Sequence, residues 1–431
     1  MDDIISRFAE GQWVVGVCGL GYVGLPLAVT ASERGIGVIG FDVAPDKVDA
    51  LNAGSSHVED VRDDTLRAAL AGGATFTTDA SRLAEADAII IAVPSPLGRS
   101  RQPDMRFIEA AAATVEQVAR PGQLISLEST TYPGTTEDYL LPAVERAGLT
   151  LDTDVFVCFS PERVDPGNPL ATHQIPKVVG GVTPRSGQVA AAAYGRLVDK
   201  VHLVGSARAA ELTKLLENTY RAVNIALVNE MAQLAHVFDI DIWEVVDAAA
   251  TKPFGFQAFY PGPGVGGHCI PLDPQYLAWR ARELRATTRF IDLAEDVNRH
   301  MPDYVAGRII DELNSRGLPA FGTSILGVGL AYKPNVGDDR ESPALDVLEG
   351  LARRGARIGV LDPHVPIDRL AGHGYDVVTA DDTFSRHAAA VILTDHDDLP
   401  YERLASEVPF VFDTRGAYRK RGIMAANVVA L

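Results

Sequence analysis

Three glycines at fixed spacing, Gly19, Gly21 and Gly24, constrain most strongly what this chain can fold into. They follow one apolar run and open a helical stretch, and a second apolar run then ends at Asp42. In such an order the first glycine permits a sharp turn, the second lets a pyrophosphate approach the backbone, and the third lets the helix pack on the sheet. The spacing therefore predicts a strand, a tight turn, a helix and a second strand that together bind a dinucleotide.

The acid at the end of the second apolar run predicts which dinucleotide binds. Asp42 lies 18 residues after Gly24, where a carboxylate binds the ribose hydroxyls and repels a 2′-phosphate. NAD is therefore predicted in preference to NADP. The helix N-terminus adds free N–H groups and the positive end of the helix dipole for the phosphates. The residues predicted to contact the cofactor in this unit are Gly19, Gly21, Tyr22, Val23, Gly24 and Asp42.

Further apolar runs, each ending in polar or turn residues, predict that the sheet continues with parallel strands. Such runs precede Ser95, Thr130 and Glu162. Because ligands of open parallel sheets bind at the carboxyl ends of the strands, Ser95 and Thr130 join the predicted cofactor site. Cys18 and Cys158 lie within or beside these runs, and both are expected to be buried.

Length and charge limit the classes of protein to consider. A chain of 431 residues is too long for one ordinary core and predicts two or three domains. The formal net charge of 39 − 57 = −18, with no long basic run, argues against nucleic acid as a partner. No apolar run reaches the ~20 residues of a membrane-spanning helix, and no N-terminal segment has the pattern of a signal peptide. Three widely spaced cysteines indicate neither a disulfide framework nor a metal site, and a cytoplasmic location is expected.

Two later segments complete the predicted architecture. Residues 209–238 contain no glycine or proline, and large apolar residues recur there at helical spacing. This long helix is expected to join two domains and to offer its apolar face to a second copy of the chain. The last third alternates strands and helices again, without a glycine fingerprint followed by an acid, which predicts a second parallel sheet but no second NAD site.

The predicted fold is two Rossmann-like, parallel-sheet α/β domains joined by a long central helix. The predicted domain boundaries are 1–205, 206–305 and 306–431. The substrate is expected in the cleft between the two α/β domains.

The segment YPGPGVGGHCIPLDP, residues 260–274, holds four glycines and four prolines. That density excludes a long helix or a central strand and predicts a stiff loop whose backbone approaches another group closely. Cys269 in this loop is either a small buried side chain or a thiol nucleophile, and the residues alone leave both interpretations open. Lys214 and Asn218 are four residues apart on the long helix and share a face, which by itself is most often an ordinary solvated pair.

Several motifs in one order resemble the UDP-glucose/GDP-mannose dehydrogenase family of nucleotide-sugar 6-dehydrogenases. They are GLGYVGLPLA (19–28), VPSPL (93–97), EST (128–130), SPER (160–163), the Lys214 and Asn218 pair, GPGVGGHCIPLDP (262–274), GLAYKPNVGDDRESPA (329–344) and FDTRG (412–416). The resemblance covers nearly the whole chain, and the Gly-Gly-His-Cys loop with Asp273 four residues on is its most specific part. It implies that the C6 alcohol of a UDP-linked sugar is oxidised to a carboxylate with two NAD+, and that the C-terminal domain binds the UDP-sugar.

The resemblance also implies roles for single residues. Cys269 is implied to be the nucleophile, which forms first a thiohemiacetal and then a thioester. Lys214 and Asn218 are implied to stabilise the developing oxyanion. Asp273 is implied to act as a base or to position one.

Other positions are implied to handle water, substrate or cofactor. Thr130 and Glu162 match positions that take part in water or proton transfers, and His268 is expected only to support the neighbouring cysteine. Arg340 matches a position near the cofactor. The positions implied to bind substrate are Glu162, Arg163, Lys214, Asn218, Tyr260, Gly266, Lys333 and Arg415, the last with a contribution across a dimer interface as one alternative.

The sugar is expected from one region of the chain. The segments SPERVDPGN (160–168) and PFGFQAFYPGPG (253–264) are similar to those of members that act on UDP-N-acetylhexosamines. Arg163 would add a donor for an acetamido carbonyl or a phosphate. UDP-N-acetylglucosamine or its epimer UDP-N-acetylmannosamine is therefore the expected substrate. UDP-glucose stays open, as does a two-electron hydroxyacid dehydrogenase, which would not require Cys269. A nucleotide-sensing or scaffold protein without turnover is disfavoured, because Lys214, Asn218, Cys269 and Asp273 are all present.

Overall fold

The computed structural model describes residues 3–58, 60–98, 101–164, 170–267 and 270–431. Within it the chain forms two compact units. One comprises Met1–Glu217 with Gln275–Ala286, and the other comprises Asn218–Pro274 with Thr287–Leu431. Each unit has its own sheet and its own apolar core.

An eight-stranded sheet forms the centre of the first unit. Its strands are β1 (Val14–Cys18), β2 (Gly37–Phe41), β3 (Thr75–Thr77), β4 (Ala88–Ile91), β5 (Gln123–Leu127), β6 (Val155–Phe159), β7 (Lys177–Gly181) and β8 (Val201–Val204). They lie in the order β3-β2-β1-β4-β5-β6-β7-β8, and neighbours are parallel except β6 and β7. The strand order reverses direction between β1 and β4, which is the point where doubly wound sheets bind their ligands.

Helices cover the two faces of this sheet, which is why strands such as β4, with the sequence AIII, are apolar on both sides. They are α1 (Asp3–Glu10), α2 (Gly24–Glu33), α3 (Pro45–Asn52), α4 (Asp63–Ala71), α5 (Arg106–Val118), α6 (Leu141–Arg146) and α7 (Pro184–Leu197). The start of α7 shows how the sequence defines an end: Pro184 occupies the first turn, and the Thr183 side chain accepts a hydrogen bond from the Ser186 N–H.

The longest helix is α8 (Ala207–Val237), close to the predicted 209–238. It begins in the first unit and ends in the second. Most of its large apolar residues are exposed, with Leu216 at 64% and Leu227 at 58%, whereas its buried positions are small or polar apart from Leu215 and Val228. The predicted apolar face therefore exists, and the single chain leaves it uncovered. The helices that follow are α9 (Ile242–Ala250), α10 (Asp273–Glu283) and α11 (Arg289–Ser315).

A second sheet forms the centre of the second unit, and all of its neighbouring strands are parallel. Its strands are β9 (Ser324–Val328), β10 (Arg357–Leu361), β11 (Asp376–Val377), β12 (Ala389–Ile392), β13 (Val411–Asp413) and β14 (Val428–Ala430), in the order β11-β10-β9-β12-β13-β14. The accompanying helices are α12 (Pro343–Arg353), α13 (Ile367–Gly372), α14 (Tyr401–Glu407) and α15 (Ala417–Lys420).

The turn after β9 repeats the turn after β1 in its backbone but not in its chemistry. Gly329 has a φ of +80°, and the Leu330 N–H donates to Asp362 at the end of β10. An acid thus follows the second glycine turn as well, although the full glycine fingerprint is absent there, as predicted. However, Asp362 Oδ2 also accepts from the buried His396 at 3.0 Å, and Ala331 and Pro334 stand where the second and third glycines would be. The carboxylate is consequently used inside the protein, and the prediction that this sheet is not a second NAD site stays a prediction.

The α/β fold class with two Rossmann-like parallel sheets is confirmed. The domain boundaries at 1–205, 206–305 and 306–431 stay a prediction. Of the helices within the described residues, none combines the length and the apolar character needed to cross a lipid bilayer.

Candidate active site

The turn between β1 and α2 leaves no room for a side chain at two of its three glycines and has open space at the other. A Cβ on Gly19, whose φ is +97°, would lie 2.5 Å from the Ala92 carbonyl oxygen. A Cβ on Gly24 would lie 1.8 Å from the Gly19 carbonyl oxygen. At Gly21 a Cβ would meet nothing within 4 Å. The first and third glycines are therefore required by the fold itself, while the second leaves room for a group that is not part of the chain, as a pyrophosphate would require. Tyr22 and Val23 lie in the same turn.

Asp42 follows β2 and is held in an ionised state beside this turn. Its carboxylate accepts hydrogen bonds from the N–H groups of Leu20 at 2.9 Å and Ala44 at 3.1 Å, and from the Lys47 ammonium at 2.8 Å. Burial alone would raise the pKa of Asp42, but these donors and the Lys47 charge outweigh it, so the pKa is lowered. A buried, ionised carboxylate at this position agrees with NAD as the ligand, because it repels a 2′-phosphate.

Ser95 and Thr130 lie at the same edge of the sheet as the glycine turn. Ser95 follows β4 and Thr130 follows β5, and these strands are parallel neighbours of β1 and of each other. The Ser129 hydroxyl donates to the Val93 carbonyl oxygen at 2.7 Å and so joins the two loops. The structure thus brings Ser95 and Thr130 to the carboxyl ends of adjacent strands, as predicted.

Lys214 on α8 is directed at the turn that follows β6. It is only 8% exposed, and its ammonium donates to the peptide oxygen of Glu162 at 2.6 Å. The ordinary solvated interpretation of this lysine is therefore wrong. One hydrogen bond leaves two of the three ammonium protons available for other acceptors.

Asn218, one turn further along α8, is 1% exposed and donates to the Asp273 carboxylate at the start of α10. Its amide oxygen accepts from the Arg221 guanidinium. The structure thus brings two of the predicted residues, 55 positions apart in the chain, into direct contact. Because the amide is bonded at both ends, its orientation is defined.

The Glu162 carboxylate is bonded on both oxygens. Oε1 accepts from the N–H groups of Arg163 and Val164, each at 2.7 Å, and Oε2 accepts from the Lys177 ammonium at 3.0 Å. Burial alone would raise the pKa of Glu162, but the charge of Lys177 and these backbone donors outweigh it and lower the pKa. Glu162 is therefore ionised at neutral pH and can accept a hydrogen bond from a water or an alcohol.

Arg163 has partners within the protein. Its Nη2 lies 2.6 Å from Glu217 Oε1, its Nε donates to Glu217 Oε2 at 3.2 Å, and its Nη1 donates to the Pro176 carbonyl oxygen at 2.8 Å. The guanidinium thus fastens the turn after β6 to α8. Its predicted role as a reader of the substrate stays a prediction, and residues 165–169 of the same motif lie outside the described residues.

The glycines that precede the cysteine loop pack against the C-terminal strands and helices. A Cβ on Gly266 would lie 2.7 Å from Pro343, and one on Gly267, whose φ is +81°, would lie 2.7 Å from the Tyr332 ring. A Cβ on Gly262 would lie 2.6 Å from Nη1 of Arg415. Other groups therefore approach the described glycines of the loop closely, as its composition predicts, while the stiffness of the loop stays a prediction.

His268 and Cys269 lie outside the described residues, so the nucleophile itself stays a prediction. The other two cysteines are poor candidates for that role. Cys18 and Cys158 are buried, and burial raises the pKa of each thiol to about 12. A thiol with such a pKa is not a thiolate at neutral pH.

The remaining predicted substrate and cofactor residues lie in the second unit. Arg415 follows β13, and its Nε donates to the Leu393 carbonyl oxygen at 2.7 Å. Lys333 is half-buried in the loop after β9. Arg340 forms an ion pair with Asp338 at 2.6 Å.

Tyr260 lies in surroundings that the sequence did not predict. Its ring stacks on Trp243 with centroids 5.7 Å apart, and its hydroxyl donates to Asp247 at 2.9 Å. The three residues line a cavity of about 320 Å³ together with Gly416, Arg419 and Lys420.

Two lysines at the site were missed from the sequence. Lys47 forms an ion pair with Asp42. Its position five residues after the acid was the one feature of the sequence that could have indicated this contact. Lys177 binds Glu162 from the start of β7, and nothing local marks it, because the contact depends on the pairing of β6 with β7.

Comparison with known proteins agrees with this geometry. Models of the UDP-glucose/GDP-mannose dehydrogenase family match the chain in succession: the NAD binding domain at residues 13–198, the central domain at 208–300 and the UDP binding domain at 326–420. The chain is 36% identical over 426 residues to the NDP-N-acetyl-D-galactosaminuronic acid dehydrogenase of Ralstonia nicotianae, which covers 95% of this chain and 97% of the relative.

Two solved structures are similar over nearly the whole chain. The UDP-D-ManNAc dehydrogenase of Pyrococcus horikoshii has a TM-score of 0.85 and 30% identity, covering 97% of this chain and 98% of that one. The UDP-glucose dehydrogenase of Pyrobaculum islandicum has a TM-score of 0.84 and 29% identity, covering 97% of each chain. The fold is thus shared by proteins named for different sugars.

Proposed function

The chain belongs to the UDP-glucose/GDP-mannose dehydrogenase family, and from that membership we propose that it oxidises the C6 hydroxymethyl of a UDP-linked N-acetylhexosamine to a carboxylate. In this reaction the sugar and one water together release two hydrides and three protons. The observation that carries the proposal is the pairing of predicted catalytic residues in two hydrogen bonds, Lys214 with Glu162 and Asn218 with Asp273.

NAD is the hydride acceptor, and its binding domain is present. The open space at Gly21 would accommodate the pyrophosphate, and the Asp42 carboxylate would accept hydrogen bonds from the ribose hydroxyls. When bound, the nicotinamide takes up the two electrons and the hydrogen nucleus of each hydride. The chain's own residues are left with the tasks of binding, orientation and proton transfer.

In the first oxidation the C6 alcohol loses a proton and a hydride and becomes an aldehyde. Asp273, or a water that it orients, accepts the proton. Lys214 and Asn218 donate hydrogen bonds to the C6 oxygen as it gains negative charge. Both side chains are buried, and in a site that excludes water such bonds stabilise charge more strongly than they do in solvent.

In the second oxidation the Cys269 thiolate adds to the aldehyde and forms a C–S bond. The thiohemiacetal would then give up its C6 hydride and become a thioester, with a second NAD+ supplying the hydride acceptor. Water attacks the thioester carbonyl, the C–S bond breaks, and the thiolate is regenerated. Glu162, ionised at neutral pH, accepts the proton of that water, and Thr130 helps to hold the water. The cysteine divides a difficult step into two easier ones.

The sugar is proposed to carry an N-acetyl group at C2, with UDP-N-acetylglucosamine and UDP-N-acetylmannosamine as the first choices. This proposal is supported by the names of the relatives from Ralstonia nicotianae and Pyrococcus horikoshii. The overall fold does not discriminate, because the UDP-glucose dehydrogenase is similar to nearly the same degree. Lys333 and Arg415 are proposed to bind the diphosphate, with Gly266 and Tyr260 lining the substrate's path.

We test the reaction by counting NADH released per sugar consumed. With NAD+ in excess and limiting UDP-N-acetylglucosamine, UDP-N-acetylmannosamine, UDP-N-acetylgalactosamine or UDP-glucose, we expect two NADH and one uronic acid per molecule of an N-acetylhexosamine. Cys269→Ala is expected to form no acid, whereas the matched control Cys158→Ala keeps the ratio of two. One NADH per sugar would instead favour a two-electron dehydrogenase, and faster turnover of UDP-glucose would overturn the proposed substrate.

We also propose that the active form is a homodimer joined through α8. The supporting observation is the exposed row of large apolar side chains on this helix, Leu212, Leu216, Leu227, Met231 and Leu234. Leu227→Glu is expected to shift the molar mass measured by light scattering from that of a dimer towards that of a monomer of 46.1 kDa. The control Met424→Glu changes another exposed apolar residue outside α8. A dimer that persists in Leu227→Glu would refute this interface.

A further inference from the structure

A line of buried polar side chains leads through the first unit to Glu162. The hydroxyls of Ser126 and Tyr194 lie 2.8 Å apart, and Tyr194 donates to Glu128 Oε1 at 2.6 Å. The Lys177 ammonium donates to Glu128 Oε2 at 2.8 Å and to Glu162 Oε2 at 3.0 Å. One ammonium therefore lies between two carboxylates, and the cluster connects β5, α7 and β7 with the turn that carries Glu162.

Stability alone does not explain this cluster. Its side chains are buried or nearly so, with Glu128 and Lys177 almost fully excluded from solvent. Removing two carboxylates and an ammonium from water is costly, and well-packed apolar residues of similar volume are often as stabilising or more so. With both carboxylates ionised, the cluster also carries one uncompensated negative charge. Such an arrangement needs a reason beyond packing.

We propose that Lys177 is a positioning residue that holds the Glu162 carboxylate in place and in its ionised form. Glu128, fixed by Tyr194, holds Lys177 in turn, and its negative charge offsets part of the effect of the Lys177 charge on Glu162. The proposal rests on the proposed function of Glu162 as the acceptor of the proton of the hydrolytic water.

The geometry of Glu162 supports this assignment. Its Oε1 is fixed by two backbone N–H groups of its own turn, so Lys177 is the only side chain among the described residues that bonds its Oε2. Without Lys177 the carboxylate has one anchored oxygen and can rotate about it. With Lys177 both oxygens are fixed, and the remaining lone pairs point in defined directions.

The other charged groups around Glu162 do not replace Lys177. On α8, Lys214 bonds the peptide oxygen of Glu162 and not its carboxylate. Arg163 is paired with Glu217 of the same helix, so the pair is neutral. Glu128, directly after β5, repels the Glu162 carboxylate, so its charge opposes that of Lys177 at Glu162. The cluster thus acts on the protonation of Glu162 through one cation and one anion, beside the two backbone donors of its own turn.

Two substitutions therefore have effects of opposite sign. Lys177→Met removes the cation, so Glu162 binds its proton more readily and titrates at higher pH. Glu128→Gln keeps a side chain of the same shape and removes the opposing anion, so Glu162 titrates at lower pH. Lys177→Arg keeps the charge and is expected to leave the titration of Glu162 close to that of the wild type.

The titration is measured on the full-length protein labelled with [13C-carboxyl]glutamate, by NMR as a function of pH. The Glu162 resonance is assigned by its absence from Glu162→Gln. Because Lys177→Met leaves two unpaired carboxylates and could fail to fold, the double variant Lys177→Met/Glu128→Gln is measured beside it. That variant carries the same net charge in the cluster as the wild type, and Glu162 is still expected to titrate at higher pH because its cation is gone.

Kinetics provide the second measurement. In Lys177→Met the acid limb of the kcat profile is expected to move to higher pH and kcat at pH 7 to fall about tenfold or more, with little change in KM for NAD. Lys177→Arg should restore most of kcat. Shifts of the same sign in Lys177→Met and Glu128→Gln, or an unshifted Glu162 resonance in the double variant, would overturn the proposal. A wild-type enzyme without NADH release would contradict the proposed function, and the NMR titration would still decide the role of Lys177.

Discussion

Gly24 and Gly21 belong to one fingerprint, but replacing them by alanine is expected to change different properties. Gly24→Ala should lower the stability of the fold, and Gly21→Ala should weaken the binding of NAD. A Cβ on Gly24 would lie 1.8 Å from the Gly19 carbonyl oxygen, and ordinary contact begins at 3.4 Å, so α2 and the turn must separate by about 1.6 Å. The obstacle is backbone and cannot rotate away. Overpacking of this kind costs about 3 kcal/mol, at the upper end of its usual range. In a unit of this size that corresponds to a decrease in Tm of roughly 6–12 °C.

Gly21→Ala is the matched control, because its Cβ meets nothing within 4 Å. Its free energy of unfolding is expected to stay within about 0.5 kcal/mol of the wild type. Its Kd for NAD, however, is expected to rise about tenfold or more, or about 1.4 kcal/mol, since the methyl group enters the space for the pyrophosphate. Calorimetric melting and isothermal titration with NAD measure the two effects separately. Wild-type affinity in Gly21→Ala would show that the pyrophosphate does not use this space, and a decrease in its Tm equal to that of Gly24→Ala would show that Gly21 is also required by the fold.

Three further outcomes follow from individual contacts. Asp42→Ser removes the charge that repels a 2′-phosphate, and we expect the preference of kcat/KM for NAD over NADP to fall about tenfold or more. Asn229→Ala leaves the buried Gly262 N–H without its acceptor and should lower the free energy of unfolding by about 1–3 kcal/mol in urea titrations, against little change for the exposed amide in Asn224→Ala. Burial alone would raise the pKa of Asp362, but a buried histidine and backbone donors outweigh this effect, and the pKa is lowered. The ionised acid therefore stabilises the fold at pH values above its unfolded pKa of about 3.9. This stabilisation is lost progressively as the pH falls below that value. Unfolding measured from pH 7 to pH 3 should therefore show a smaller loss of stability in Asp362→Asn, and an unchanged slope would argue against it.

The spacing of residues along the chain was sufficient to predict the structural features that depend only on residues close in sequence. The glycine turn, α8 and the close packing around the glycines before Cys269 were all predictable, because turns, helical faces and glycine-proline density are local properties. The sequence also indicated which residues of α8 share a face, and so placed Lys214 and Asn218 together. What it could not indicate was whether that face was exposed or buried, since burial depends on what packs against it.

The pairing of charges was decided by the tertiary structure alone. Lys177 is 49 positions from Glu128 and 15 from Glu162, and it reaches both only because β7 lies antiparallel beside β6. The same holds for Asn218 and Asp273, and for the acid of the second sheet, whose partner His396 lies 34 positions away. Residues of these types are common on any surface, and no local pattern marks the ones that will meet. The scaffold and the candidate residues could therefore be predicted from local patterns, whereas their partners depend on the fold. An electrostatic contact depends on distance in space and on exclusion of water, and neither is a property of spacing along the chain.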